Sequence, residues 1–160
     1  LNKTLLIRGM GGLTEILCEM GSMLKFKVIV QTSEEEKERY PSAAEIIVDN
    51  LEIEDIDFPV DYFILATHHR NDDKVSFEAL KKGIPYVGVV ASTKKTGIIL
   101  EYLRKNGATE KELANFFSPT GLELNAKTPE QIALSILSEM VMLENGGTGN
   151  QKKNIKPKID

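Results

Sequence analysis

Gly9, Gly11 and Gly12, with Met10 between the first two and Leu13 and Thr14 after them, are the residues of this chain best suited to hold a phosphate. The apolar run Leu5-Leu6-Ile7 leads straight into them, and Leu13, Ile16, Leu17 and Met20 follow at helical spacing. The pattern predicts a strand, a tight turn and a helix whose N-terminus faces the turn. Such an N-terminus carries unpaired N–H groups and the positive end of the helix dipole, so it suits an anion. Gly9 would make the turn and Gly11 would let a pyrophosphate approach the backbone, while the third position of the G-x-G-x-x-G spacing holds Thr14. Gly9, Met10, Gly11, Gly12 and Leu13 are therefore candidate cofactor-binding residues. Gly11→Val is expected to abolish binding and leave the fold largely intact. A tight β–α connection that binds nothing has the same spacing.

The end of the second apolar run tests the dinucleotide idea. An NAD site usually offers an acid to the adenine ribose about 20 residues after the first glycine. Here the run ends at Gln31-Thr32-Ser33, and the carboxylates Glu34, Glu35 and Glu36 come late. Gln31, Thr32 and Ser33 can hydrogen-bond a ribose or a 2′-phosphate, without an arginine clamp.

Thr67-His68-His69-Arg70-Asn71-Asp72-Asp73 follows another buried apolar run, and ligands of open parallel sheets lie beyond such strand ends. His68 and Asp72 are the candidate catalytic residues, since imidazole titrates near neutrality and could contact a phosphate or move a proton. The two histidines could instead join Asp72 or Asp73 on a metal. A third reading has Asn71 or Asp72 capping the next helix. Ser92, with Thr93, Lys94 and Lys95, opens a further helix at which an anion or a plain cap is equally at home.

The elements that must position these residues alternate along the chain. Residues 4–8, 27–31, 45–49, 62–67 and 86–90 read as strands. Residues 12–24, 72–82, 93–106, 110–116 and 129–143 read as helices. Phe63-Ile64-Leu65-Ala66 and Val87-Gly88-Val89-Val90 are continuously apolar, as inner strands of a sheet covered on both faces are. The expected fold is α/β: a doubly wound, mostly parallel Rossmann-like sheet in three α/β/α layers. Residues 1–144 form one nucleotide-binding domain on this reading, and the Gly-, Asn- and Lys-rich residues 145–160 a flexible C-terminal tail. Leu134, Ile136, Leu137, Met140 and Met142 fall on more than one face of the last helix, which suits either core packing or a homodimer interface.

A chain of 160 residues with 41% hydrophobic and 28% charged residues is in the range of soluble single domains. The net charge of −4 gives no general case for nucleic acid, and no apolar run is long enough for a membrane span. The single cysteine, Cys18, excludes an internal disulfide and a cysteine-based zinc site, and reads as a buried thiol. Cytoplasmic placement is the expectation.

Several ordered segments resemble the C-terminal Rossmann domain of the XdhC/CoxI family, maturation factors for molybdenum hydroxylases such as xanthine and carbon monoxide dehydrogenases. They are Ala66-Thr67-His68-His69 with Asp72-Asp73, Tyr86-Val87-Gly88, Ala91-Ser92, Pro119-Thr120-Gly121-Leu122, and the run from Thr128-Pro129-Glu130-Gln131-Ile132-Ala133 to Glu139. The last two are similar to the family's P-x-G-L and T-P-E-E-I-A-x-S-I-x-A-E segments. The resemblance implies binding of the molybdenum cofactor, as molybdopterin or its dinucleotide form, and its delivery to a molybdenum hydroxylase apoenzyme. The glycine turn, Thr67 and His68 would then line the cleft. The chain departs from the family at Gly12, where His is frequent, at Gln31-Thr32-Ser33, where Asp-x-Arg is frequent, and at Ala91 of the usual Gly-Ser. Full-length members also carry an N-terminal domain with a cofactor-handling cysteine. These residues do not include that domain, so a separate CoxI-like subunit is an expected partner. An NAD(P)-dependent oxidoreductase and a non-catalytic NAD(P) sensor or scaffold are the other readings.

Overall fold

Strand β1 (Thr4–Gly9) runs through the middle of a sheet because every side chain from Leu5 to Ile7 has an apolar layer to enter. Leu5 and Ile7 face one side and Leu6 the other, and all three are fully buried. A strand covered on both faces needs no polar alternation, which is why these runs are continuous. The structure is a computed structural model and describes residues 2–48, 50–67 and 71–158.

The remaining strands are β2 (Lys27–Gln31), β3 (Glu45–Ile47), β4 (Tyr62–Ala66), β5 (Val87–Val89) and β6 (Phe116–Phe117). They pair in the order β3-β2-β1-β4-β5-β6, and every pairing is parallel. That is the doubly wound Rossmann order, with the direction of winding reversing between β1 and β4. Helices α1 (Gly12–Met23) and α5 (Pro129–Asn145) cover one face, through Leu17 and Cys18 of α1 and Ala133, Ile136, Leu137 and Met140 of α5. Helices α2 (Asp72–Lys82) and α3 (Thr93–Lys105) cover the other, through Ala79, Leu80, Ile99 and Leu103.

Differences from the sequence reading lie at element ends. The helix expected over residues 110–116 stops after one turn as α4 (Glu110–Leu113), and Phe116 and Phe117 form β6. The open edge of β5 decides this: the Val87 N–H donates to the Asn115 carbonyl at 2.8 Å, and the Phe117 ring stacks on Tyr86 at 4.2 Å between centroids. The strand expected over 45–49 is shorter, and residue 49 lies outside the described residues. The acidic stretch 52–57 forms a 3-10 turn, Ile53–Asp55, whose Ile53 is buried with Ile56 in the α2 layer. Thr128 caps α5 in a capping box with Gln131, and Pro129 takes the first helical position, where its missing N–H costs nothing. Residues 146–158 are exposed. Among the described residues no helix is long and apolar enough to cross a membrane.

Candidate functional site

β1 ends at Gly9, which packs where any larger residue would collide. A Cβ there would stand 2.6 Å from Thr14 Oγ1 and 3.1 Å from the Ala66 carbonyl. Glycine at this point lets the first turn of α1 close onto β1 and β4. Gly11, the N-cap of α1, has φ of +95°, a region that residues with a Cβ rarely occupy. A valine there is strained whatever the space around it. The expectation that Gly11→Val keeps the fold intact is corrected on that ground. Gly12 has nothing within 4 Å of a would-be Cβ and no positive φ, so it is the glycine whose substitution tests binding alone.

The C-terminal ends of β1, β2 and β4 border a cleft of about 840 Å³ at the point where the winding reverses. Ligands of open α/β sheets bind in this crevice. Gly9 and Met10 lie on its rim with Gln31, Thr32, Ser33 and Thr67. Met10 is 48% exposed, an apolar side chain held out beside the turn. Leu13 packs its side chain against the α1–α5 core, so only its backbone N–H can meet a ligand. Ser92 lies apart from the cleft and caps α3, its Oγ accepting from the Lys95 N–H at 3.1 Å. His68 lies outside the described residues, as do His69 and Arg70.

Asp72 is 4% exposed, and its carboxylate is engaged within the protein. Thr67 Oγ1 donates to Oδ1 at 3.1 Å, and Lys95 Nζ stands 3.4 Å from Oδ2. This ties the end of β4 and the starts of α2 and α3 into one rigid corner. Among the described residues no three His, Cys, Asp or Glu side chains are grouped to hold a metal.

Arg8, which the motif reading does not single out, lines the same cleft with Asn71, Lys74 and Glu78. Arg8 Nη2 donates to the Leu51 carbonyl, and the guanidinium lies 5.7 Å from the centre of the Phe63 ring. Its buried Nε–H has no hydrogen-bond partner among the described residues. Burial lowers the Arg8 pKa, while Glu52 and Glu78 work against that fall, and arginine keeps its charge in such settings. No arginine stands at the end of β2, and Arg8 of β1, one residue before Gly9, lines the cleft. Its signal in the sequence is a charged residue closing an otherwise apolar strand.

The helix starts divide accordingly. α3, α4 and α5 are each closed by their own N-cap side chain, from Ser92, Thr109 and Thr128. The N-cap positions of α1 and α2, at Gly11 and Asn71, make no side-chain capping bond among the described residues. Asn71 lines the cleft directly, whereas Gly11, Gly12 and Leu13 are not among its lining residues and α1 begins two residues past Met10 on the rim.

Residues 5–140 match the family model described as the XdhC Rossmann domain. The chain belongs to this family. Over 151 residues it is 25% identical to the uncharacterized protein YqeB of Escherichia coli, covering 91% of this chain and 28% of that protein. Over 85 residues it is 31% identical to a probable xanthine dehydrogenase subunit of Bacillus subtilis, covering 52% of this chain and 24% of the other. A crystal structure of a xanthine dehydrogenase from Bacillus halodurans superposes with a TM-score of 0.75 at 27% identity, covering 98% of this chain and 45% of that one. This XdhC Rossmann domain thus spans less than half the length of each of these relatives.

A second, apolar groove of about 610 Å³ lies along α1 and α5, lined by Met20, Met23, Leu24, Leu134, Val141 and Met142 among others. It adjoins the C-terminal end of α1, whereas the glycine turn and the cleft lie at the N-terminal end.

Proposed function

We propose that this XdhC Rossmann domain serves the maturation of a molybdenum hydroxylase by holding the molybdenum cofactor, or its nucleotide portion, in the cleft at the ends of β1, β2 and β4. The observation that carries the reading is the coincidence of two things at one place. The glycine turn reaches the crevice at the reversal of the sheet through Gly9 and Met10, and the two α-helices that lack an N-cap side-chain bond among the described residues begin at its lining residue Asn71 and two residues past Met10.

The residues present fit a ligand rich in oxygen and phosphate. Space beside Gly11 and Gly12 is open, the unpartnered Nε–H belongs to a cleft-lining arginine, and Thr32, Ser33, Asn50 and Asn71 add neutral donors and acceptors. The first-turn N–H groups of α1 would face the phosphates, with the helix dipole adding to them. Thr32 and Ser33 would meet the ribose in place of an acid. Arg8 and Lys74 would supply positive charge among Glu34, Glu52 and Glu78. The cofactor is cargo in this role, and its molybdenum chemistry belongs to the enzyme that receives it. The chain's own part is to bind, orient and release. A molybdenum hydroxylase apoenzyme, a CoxI-like subunit and a second copy of this chain are the partners this role calls for, and cytoplasmic placement is part of the same reading.

The Rossmann order favours NAD(P) as the competing ligand, with a redox or sensing role. Calorimetric titration under anaerobic conditions separates the two. The proposal expects binding of the molybdenum cofactor or of CDP or GDP, and little binding of NAD, NADP or their reduced forms. Binding of NAD(P) alone overturns it.

A further inference from the structure

We propose that Tyr40 is a positioning residue for the glycine turn, fixing the Gly11 peptide so that the first-turn N–H groups of α1 stay in place for an anionic group. This role rests on the reading of the cleft given above and adds a residue to it from outside the motif.

A capping box makes two bonds at a helix start. The N-cap side chain accepts from a first-turn N–H, and the third helical residue accepts from the N-cap N–H. α4 and α5 have both halves, through Thr109 with Glu112 and Thr128 with Gln131. In α1 the first half is absent, because the N-cap is Gly11. The second half is present but comes from elsewhere in the chain: the Gly11 N–H donates to Tyr40 Oη at 3.1 Å, across 29 residues of sequence. The bond that holds the turn is therefore kept, and the bond that would fill the anion's place is left unmade.

Tyr40 is rigidly held for this task. It is 3% exposed and belongs to the same core as Leu17 and Val30. Its carbonyl accepts from the Ala43 N–H at 3.1 Å, and the neighbouring Arg39 donates to Glu15 of α1 at 2.7 Å. The Tyr40 hydroxyl also lies beside the side chain of Thr32, which lines the cleft. The ring thus packs in one core with Val30 of β2 while its hydroxyl reaches the turn after β1. Burial raises its pKa, so the hydroxyl stays neutral and available to Gly11.

Tyr40→Phe keeps the ring and removes only the acceptor. The test compares calorimetric affinities of ADP, CDP and GDP, each against its nucleoside, for the wild-type chain and the variant, together with amide hydrogen exchange at Gly11. The expected result is a loss of about tenfold for the diphosphates that the wild type binds, little change for nucleosides, and faster exchange at Gly11. Unchanged diphosphate affinity, or an equal loss for nucleosides and diphosphates, overturns the role of Tyr40 and leaves the cleft reading standing. A wild-type chain that binds neither a diphosphate nor the molybdenum cofactor overturns both. Glu15→Gln, which loosens the same connection from the surface, is expected to give a smaller loss in the same direction, and it serves if Tyr40→Phe fails to fold.

Discussion

The Glu139 carboxylate accepts a hydrogen bond from the Gly121 backbone N–H at 3.1 Å. The same Oε1 accepts from the buried Tyr86 hydroxyl at 2.6 Å, and that hydroxyl lies 2.6 Å from Thr120 Oγ1. Leu122 N–H closes the contact by donating to the Ser135 carbonyl at 3.1 Å. The segment Pro119 to Leu122 and the segment Thr128 to Glu139 are therefore two halves of one joint, which clamps α5 to the end of the sheet. Both segments serve packing, and the cleft at the ends of β1, β2 and β4 is lined by other residues. Glu139→Ala removes the acceptor of the Gly121 N–H and leaves the buried Tyr86 hydroxyl with Thr120 Oγ1 alone. The change is expected to cost about 2–3 kcal/mol of stability in urea unfolding while leaving ligand affinity unchanged.

Gly121 has φ of +109°, and a Cβ there would stand 2.6 Å from Ser135 Oγ and 3.2 Å from the Ile136 nitrogen. Gly121→Ala should destabilise the fold by about 2–3 kcal/mol, combining backbone strain with the collision. Adding Ser135→Ala removes the hydroxyl part of the collision and should recover only a fraction of that loss. Thermal unfolding of the two single variants and the double variant measures the coupling.

Gly12→Val places a branched side chain in open space at the first position of α1, where no backbone strain accompanies it. Stability should change by less than about 1 kcal/mol, since only helix propensity is at stake. Affinity for the cofactor or nucleotide should fall by about tenfold or more. Calorimetry and thermal unfolding on one preparation check both halves of the prediction.

The alternation of strands and helices, the doubly wound parallel sheet and the glycine turn were legible in the sequence, because continuous apolar runs and helical spacing mark those elements, whereas the strand order is a matter of tertiary pairing. Local rules failed where a distant partner decided the outcome. Phe116 and Phe117 have the apolar character of a helix face, but the unpaired edge of β5 and the Tyr86 ring claim them. The candidates Gly9, Met10, Gln31, Thr32, Ser33 and Thr67 fall on one cleft because each closes or directly follows a strand of the sheet. Tyr40 could not be found this way. It follows an acidic stretch with no periodicity, and its value lies in reaching Gly11 across the fold. Arg8 was hidden for a similar reason, since strand alternation says which face it takes and nothing about the cleft at its end.

Alkaline pH should weaken the fold. Burial pushes the Cys18 thiol up to about 11, with Glu19 adding to the shift. Burial and hydrogen bonding to carboxylates raise Tyr62, beside Glu144, and Tyr86, beside Glu139. Each group holds its proton more tightly folded than unfolded. The folded chain therefore binds more protons above the unfolded values, near 9 for the thiol and 10 for the phenols. Stability should be level from about pH 7 to about pH 8 and fall as pH rises from about 9 to about 11, and Cys18→Ala should remove the earliest part of the fall. Urea midpoints across this range test the sign.

The central claim is the location of the ligand, and backbone amide NMR during titration with the molybdenum cofactor or its nucleotide portion tests it directly. The largest shifts are predicted at Gly11, Gly12, Leu13, Thr32 and Thr67, with little change elsewhere. Shifts confined to Met20, Met23, Leu24, Leu134 and Val141 would place the ligand in the apolar groove and contradict the account.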